Sequence, residues 1–466
     1  MKLNDGRVVY INGEQIKNVL SIDILNKTYG YIEKYYELQE TNSNHTYEEN
    51  NIKKSVTFLK PKTIEDLRRK REVYYDIAKE SFGMLGRTPD FLNPGIMSLS
   101  EHSSFLGKNK YTDFSLNAKK YYEYISENDL FVSHASINVQ MDRSKSLGEL
   151  NHDYAAVKII ETDEQGITVK GSKMIVTLSP LADELLIFNM PGLKEGDESF
   201  AVAFAIPVNT PGIKIISRKM INKEGYNEFD YPLSNSLEEL DAYVIFENVK
   251  VLWERVFVYK NIDTSNHFFD SSKIRHHTGH QDITRGLVKL EFITGVAIEL
   301  AEKLGLSNFI NIQEKLGYLT SSIELIKAGI SRCEEEANFT AEGILTPEIK
   351  TIQAIRYNLP FIYKNAVDLI QELSAGSMLS VPTEADLLNE NKSILEQSLS
   401  SDLCDANYRI KLLNLAWDLT GEAFGQRQKV YEYYHAGDPM RIGAMHYLTY
   451  PKNDLTERVS GLLDRL

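Results

Sequence analysis

The chain has 466 residues, 42% of them apolar, enough for two or three packed domains. Its 52 basic residues against 66 acidic ones leave a net charge of −14, which excludes the basic surface that non-specific nucleic-acid or anionic-membrane binding requires. Two cysteines are too few for a disulfide framework, an iron–sulfur cluster or a cysteine-built zinc site, and neither a signal-peptide core nor a run of about 18 apolar residues occurs, so a soluble cytoplasmic protein acting on a small molecule or another protein is expected.

In chain order, Arg7 to Ile16 sets an Asn-Gly dipeptide between short β-prone pieces, which predicts a hairpin in the role of a small N-terminal flap. Helical spacing dominates from Ile22 to Asn128, interrupted by an exposed polar loop from Thr41 to Asn51. A helix start is expected at Thr63, where Asp66 approximates a capping box. Arg87-Thr88-Pro89-Asp90-Phe91 ends a helical stretch, because proline disfavours helix in the residue before it. An Arg on such a turn can bind an anion or pair with Asp90, and the ion pair is the simpler reading.

Phe131 to Ser144 gathers His134, Gln140, Asp142 and Arg143, a base, a neutral amide and an ion pair, where the helical first third meets a strand-rich middle. Between His152 and Val251 short alternating or wholly apolar runs, broken by Gly, Pro, Asn and Asp, predict an antiparallel β domain. No Gly-x-Gly-x-x-Gly is present, so a Rossmann dinucleotide site is not expected. Gly166 to Lys173 comes nearest to a phosphate loop, but its Ser and Lys stand in the wrong order and a β-turn is the better reading.

After Ser271 the chain turns helical again. Leu287, Leu290, Ile293, Val296, Ala297, Leu300 and Leu304 recur at three- and four-residue steps, as on the buried face of a bundle helix, and Ile349 to Leu373 repeats the pattern. At the start of this region Arg275 to Asp282 holds three histidines. His276 and His280 lie four apart, but Gly279 weakens a helix and no zincin Glu is present, so a metal site is not expected. A catalytic or substrate-facing His280 and a solvated loop both stay open. Gly425-Gln426-Arg427 with Phe424, Tyr431, Tyr433 and Tyr434 fits an aromatic binding wall or a packed helix end equally well. The order of elements is α+β: a mainly helical segment over 1–130, a β segment over 131–265 and a helical bundle over 266–466.

These pieces together resemble the oxygenase components of 4-hydroxyphenylacetate 3-monooxygenases and the related chlorophenol and nitrophenol monooxygenases. The matching stretches include Asp5 to Val19, Met84 to Phe91, Val132 to Ser144, Gly171 to Pro180, Asp230 to Ser234, Glu247 to Val256, Arg285 to Phe292, Ser374 to Pro382 and Leu415 to Gly437. The resemblance implies an acyl-CoA-dehydrogenase-like fold, a helical domain, a β domain and a four-helix bundle, assembled as a homotetramer. It further implies that reduced FAD from a separate flavin reductase reacts with O2 to a C4a-hydroperoxide, which hydroxylates a small phenolic substrate beside its hydroxyl.

By the same resemblance Arg87 and His134 hold the substrate oxygen, and His280 matches the base of the chlorophenol branch. Gln140, Arg143 and Thr177 contact flavin, with Arg218, Asp241 and Arg427 as further cofactor-side residues. Met190 to Asp197, including Pro191 and Gly192, falls where the family has a loop over the substrate. Where the hydroxyphenylacetate enzymes carry a Tyr that meets the phenol, this chain has Phe91, which puts 4-hydroxyphenylacetate itself in doubt. Two other readings on this fold are 4-hydroxybutyryl-CoA dehydratase, which needs a cluster held by three Cys and a His, and an acyl-CoA dehydrogenase, for which no well-placed Glu base is evident. A flavin-binding relative without activity is the third.

Overall fold

The computed structural model describes residues 3 to 466 apart from 143, 146 and 151. The N-terminal hairpin forms as expected, β1 (Val9–Ile11) and β2 (Glu14–Ile16) joined by Asn12 and Gly13, both at positive φ as a type I′ turn demands. It is not a separate flap, however. β1 pairs in parallel with a strand some two hundred residues later, so the hairpin is the edge of the main sheet.

Helix α1 (Asp23–Thr41) is followed by a short turn that buries His45 and by the hairpin β3 (Thr46–Glu49) and β4 (Ile52–Ser55). The exposed loop expected over Thr41 to Asn51 is therefore structured. Its polar residues are used: His45 Nε2 lies 3.1 Å from Asp76, and Arg69 donates to the backbone oxygens of Asn44 and Thr46. Helix α2 (Ile64–Glu80) starts on the complete capping box of Thr63 and Asp66, each side chain taking the other's backbone N–H. Helices α3 (Pro89–Glu101) and α4 (Phe114–Asn128) complete the first third, α3 opening on Thr88 and Pro89.

The middle of the chain is a two-layer β structure. One sheet has the order β2-β1-β10-β11-β7-β6 and the other β12-β9-β8-β5, with β5 (Val132–Ala135), β6 (Lys158–Thr162), β7 (Gly166–Lys173), β8 (Glu184–Ile187), β9 (Val202–Pro207), β10 (Ile213–Ser217), β11 (Ala242–Leu252) and β12 (Val256–Tyr259). The sheets are mixed and not wholly antiparallel, since β1 runs parallel to β10 and β5 to β8. Phe204 and Phe246 meet edge to face between the layers, 6.0 Å apart. Gly166 to Lys173 is strand β7 itself, not a turn. One continuous apolar core joins both sheets to α3 and α4.

The last third is helical. α5 (Ile274–Lys303), α6 (Ile310–Glu335), α7 (Ile349–Ser374) and α8 (Ala406–Thr420) bury Leu290, Ile293, Ile326, Ile355, Ile370 and Leu413 in a second core, as the three- and four-residue spacing predicts. The histidine cluster is not a solvated loop: it forms the first turns of α5. Gly279 is tolerated there because a Cβ would come within 2.7 Å of Ile352. Helices α9 (Ala423–Tyr434), α10 (Pro439–Thr449) and α11 (Asn453–Leu463) end the chain. No described helix is long and apolar enough to cross a membrane.

Candidate active site

Arg87 sits on the turn between α2 and α3. Its backbone N–H and that of Gly86 both donate to one carboxylate oxygen of Glu239, at 2.9 and 2.5 Å. Its guanidinium donates to the Tyr431 hydroxyl at 2.9 Å and to the His435 carbonyl at 3.3 Å, both presented by the end of α9. Glycine is required at 86 because a Cβ there would overlap the Tyr431 hydroxyl. The Arg87–Asp90 ion pair is not formed: Asp90 is fully buried and accepts from Gln281 Nε2 at 2.8 Å, while burial raises its pKa. The Arg87 cation instead lies 4.0 Å above the Phe91 ring.

His134 reaches the same place from β5. Side chains alternate along a strand, so Ser133, which donates to the Thr177 carbonyl at 2.7 Å, and His134 face opposite ways. The His134 ring lies 5.5 Å from Phe91 and stacks 6.4 Å from Phe188, which meets Phe269 at 5.1 Å. Burial, reinforced by the charge of Arg87, pushes the His134 pKa down to about 3, so the imidazole is neutral at physiological pH. A fixed cation and a neutral imidazole thus flank a wall of aromatic rings.

A second cluster adjoins the first. The Thr177 hydroxyl donates to Asp241 at 2.7 Å, and Arg427 pairs with Asp241 at 2.9 Å and with Glu239 at 3.0 Å. Arg218 pairs with Glu238 and more loosely with Asp241, at 3.4 Å. Asp241 is held below its usual carboxylate range by these partners against the opposing effect of burial. Thr177 is flanked by Ile175 and Leu178, both at positive φ, and the Ile175 side chain is 49% exposed. A β-branched residue in that conformation is strained, and it is held out beside a polar cluster. An apolar face next to fixed hydrogen-bonding groups is what a flat heteroaromatic cofactor needs.

The other expected residues are placed as follows. Gln140 is exposed beyond β5, and Arg143 lies outside the described residues. Pro191 and Gly192 lie on the exposed connection from β8 to β9, which is pinned by Asn266: its side chain accepts from the N–H groups of Gly192 and Leu193 and donates to the Leu193 carbonyl. His280 does not join Arg87 and His134. It is buried with its Nε2 2.8 Å from Glu334, which also meets Arg71 at 3.2 Å, and its ring edge faces Tyr74. Its polarity serves the contact between α2 and the bundle. Among the described residues no group of three or more His, Cys, Asp or Glu could hold a metal ion.

Several residues around the site carry no local signal. Tyr431 and His435 stack one helical turn apart at 4.8 Å, a spacing that could have marked them, whereas Phe188, Phe269 and Glu239 meet the site only through the fold. Lys173 is another. Its ammonium is fully buried at the end of β7 and donates to the carbonyls of Ser136 and Phe188 and to the side chains of Asn138 and Asn189. These acceptors follow β5 and β8, so one lysine ties the exit of the His134 strand to the start of the connection from β8 to β9.

The two halves of the chain match two family descriptions, "4-hydroxyphenylacetate 3-hydroxylase N terminal" over residues 1–258 and "4-hydroxyphenylacetate 3-hydroxylase C terminal" over residues 265–464. The chain is 35% identical over 461 residues to a 4-hydroxyphenylacetate 3-monooxygenase oxygenase component from Geobacillus sp. (strain PA-9), covering 98% of this chain and 93% of the relative. A crystal structure of the oxygenase component of 4-hydroxyphenylacetate 3-monooxygenase with FAD and 4-hydroxyphenylacetate superposes with a TM-score of 0.93 at 32% identity, over 99% of this chain and 97% of that one. An archaeal 4-hydroxybutyryl-CoA dehydratase from N. maritimus, at 18% identity and a TM-score of 0.87, shares the fold alone. The architecture is accordingly acyl-CoA-dehydrogenase-like. With the two family descriptions matching nearly the whole of its length, this chain belongs to the 4-hydroxyphenylacetate 3-hydroxylase family.

Proposed function

We propose that the chain is the oxygenase component of a two-component flavin monooxygenase, hydroxylating a phenolic, 4-hydroxyphenylacetate-like aromatic beside its hydroxyl. The observation that carries the reading is the placement of Arg87 and a neutral His134 against the same Phe91 ring, in a member of this family. A free phenol, with a pKa of about 10, is mostly protonated at neutral pH, and its anion is the better nucleophile. Arg87 lowers that pKa by Coulomb attraction and hydrogen bonding to the phenolate. His134, being neutral, adds a hydrogen bond without competing with Arg87 as a second cation. Phe91 contributes a face for the Arg87 cation and no hydroxyl, so the substrate oxygen has these two partners where the hydroxyphenylacetate enzymes have three.

Reduced FAD, when bound, supplies the two electrons with which dioxygen is split into one oxygen atom for the ring and one water molecule. Thr177 and Gln140, with Arg143, would face the flavin. Asp241, Arg218 and Arg427 hold the Thr177 segment in place, the two arginines being already matched by Glu238, Glu239 and Asp241. The loop from Met190, closed on Asn266, keeps water from the reacting atoms. His280, committed to Glu334, is not assigned a part.

A separate reductase delivers the flavin, and a cytoplasmic setting belongs to the same proposal. So does a homotetramer built through the C-terminal helices, where Met440, Leu448 and Leu463 are 75, 65 and 61% exposed. The dehydratase alternative would need three cysteines at its cluster, and the chain has only Cys333 and Cys404.

The test supplies the purified chain with a flavin reductase, NADH and FAD, and follows a panel of phenols by mass spectrometry alongside hydrogen peroxide. Oxygen-dependent formation of catechols is expected. Peroxide alone with every phenol would overturn the reading.

A further inference from the structure

Arg87 is held by neutral oxygens alone. Its Nη1 donates to the Gly86 carbonyl at 3.0 Å and to the Tyr431 hydroxyl at 2.9 Å, and its Nη2 to the His435 carbonyl at 3.3 Å. Both hydrogens of Nη1 and one of Nη2 are thereby committed, whereas the Nε–H and the second Nη2–H have no acceptor among the described residues. Nε and Nη2 lie on one edge of the guanidinium, and that edge can meet an oxygen anion with parallel hydrogen bonds.

Carboxylates stand close by, but each is taken. Glu239 receives the backbone N–H groups of Gly86 and Arg87 on one oxygen and Arg427 on the other, and Glu432 receives Arg285 at 2.7 Å and Lys289 at 2.8 Å. The Tyr431 ring stands among four cations: Arg87, Arg285, Lys289 and Arg427 lie 5.6, 5.4, 5.5 and 5.5 Å from its centre. Three of them have a carboxylate partner, and Arg87 makes no ion pair with a described residue.

Tyr431 is suited to hold such a cation. Burial raises the pKa of its phenol against the pull of Arg87, so the hydroxyl accepts from Nη1 without bringing a negative charge. A carboxylate in its place would cancel the guanidinium, and an apolar side chain would leave an Nη1 hydrogen without its acceptor. The ring is itself fixed, stacked 4.8 Å from His435, whose Nε2 lies 2.8 Å from Asp282.

Resting on the proposed hydroxylation, we infer that Tyr431 is a positioning residue: by accepting from Nη1 it turns the uncommitted edge of Arg87 towards the phenol and keeps the charge of the guanidinium uncompensated, so that the bound phenol ionises more readily. It acts through Arg87 and touches no reacting atom. Without the hydroxyl, Glu239 is the nearest alternative for the guanidinium, since its carboxylate already holds the Arg87 backbone.

The experiment titrates 4-nitrophenol, whose anion absorbs visible light, bound to the purified chain. In the wild type the bound probe ionises at lower pH than the free one. Tyr431→Phe raises the pKa of the bound probe by about 0.5 to 1 and lowers kcat/KM for simple phenols by about three- to tenfold. Combined with Arg87→Ala, the same substitution shifts neither quantity further, because its effect passes through the guanidinium; a merely structural Tyr431 would add its own loss in either background. Additive losses in the double variant, an unshifted probe in Tyr431→Phe, or a wild type that binds the probe without favouring its anion would overturn the inference. Ionisation of the probe needs no turnover, which separates the inference from the reading beneath it. A shift that depends on Tyr431 without any catechol formed would sustain the inference and refute the hydroxylation. Catechol formation with both probe and kcat/KM indifferent to Tyr431→Phe would do the reverse.

Discussion

Lys173→Met is expected to flatten the dependence of stability on pH. The Lys173 ammonium is fully buried without a carboxylate beside it, and burial pushes its pKa from 10.5 down to about 7. Between these values the unfolded chain carries a proton that the folded chain releases, so stability rises with pH. The penalty of burying the charge is complete below pH 7, about 5 kcal/mol in all, and is relieved as pH climbs towards 10.5. From pH 7 to pH 9 the recovery is about 2 kcal/mol, which in a chain of this length corresponds to about 2 °C in Tm. Lys70 and Lys289, depressed to about 7 and about 8, act in the same direction, so the informative quantity is the difference between wild type and variant. Calorimetric scans at pH 7, 8 and 9 provide it. Methionine has nearly the volume of lysine but leaves the Ser136 and Phe188 carbonyls without their donor, so the variant is also less stable at pH 9. Parallel curves for the two proteins would refute a buried, titrating ammonium at this position.

Three further outcomes follow from the site. Phe91→Tyr adds a hydroxyl beside Arg87 and His134; one more hydrogen bond, worth about 0.5 to 1.5 kcal/mol, lowers KM for simple phenols by roughly two- to tenfold, measured by steady-state kinetics. His134 stays unprotonated from pH 8 down to pH 5, so its imidazole resonances in a labelled sample do not titrate in that range, and Arg87→Ala moves their titration upward by removing a neighbouring charge. Asn266→Ala deletes the three hydrogen bonds that pin the loop after Gly192, and the fraction of reduced flavin lost as peroxide rises, read as the ratio of peroxide to catechol.

What could be read from the sequence was what is local in it. The turn at Asn12, the capping box at Thr63 and the periodic apolar face from Leu287 each depend on residues a few positions apart, and each is found. His134 stood out because a base, an amide and an ion pair crowd one short stretch. Contacts across the chain were illegible. His280 looked available among its histidines, but its partner Glu334 is 54 positions away. Lys173 looked like part of a turn, and only the path of β7 carries it inward to backbone from two other strands. Arg218 and Arg427, cofactor-side residues by resemblance, pair with Glu238, Glu239 and Asp241, partners that no local pattern joins to them.

Glu239 gives the molecule a shared point of reference. One of its oxygens fixes the backbone of Gly86 and Arg87, and the other receives Arg427, which in turn steadies Asp241 and Thr177. The Arg87 turn and the Thr177 segment are thereby registered to a single carboxylate. None of the bonds at that carboxylate involves the rings of Phe91, Phe188 or Phe269. Substitutions among those rings therefore leave the spacing between Arg87 and Thr177 as it is, so one wall of the scaffold can be repainted without disturbing the frame that holds its polar groups.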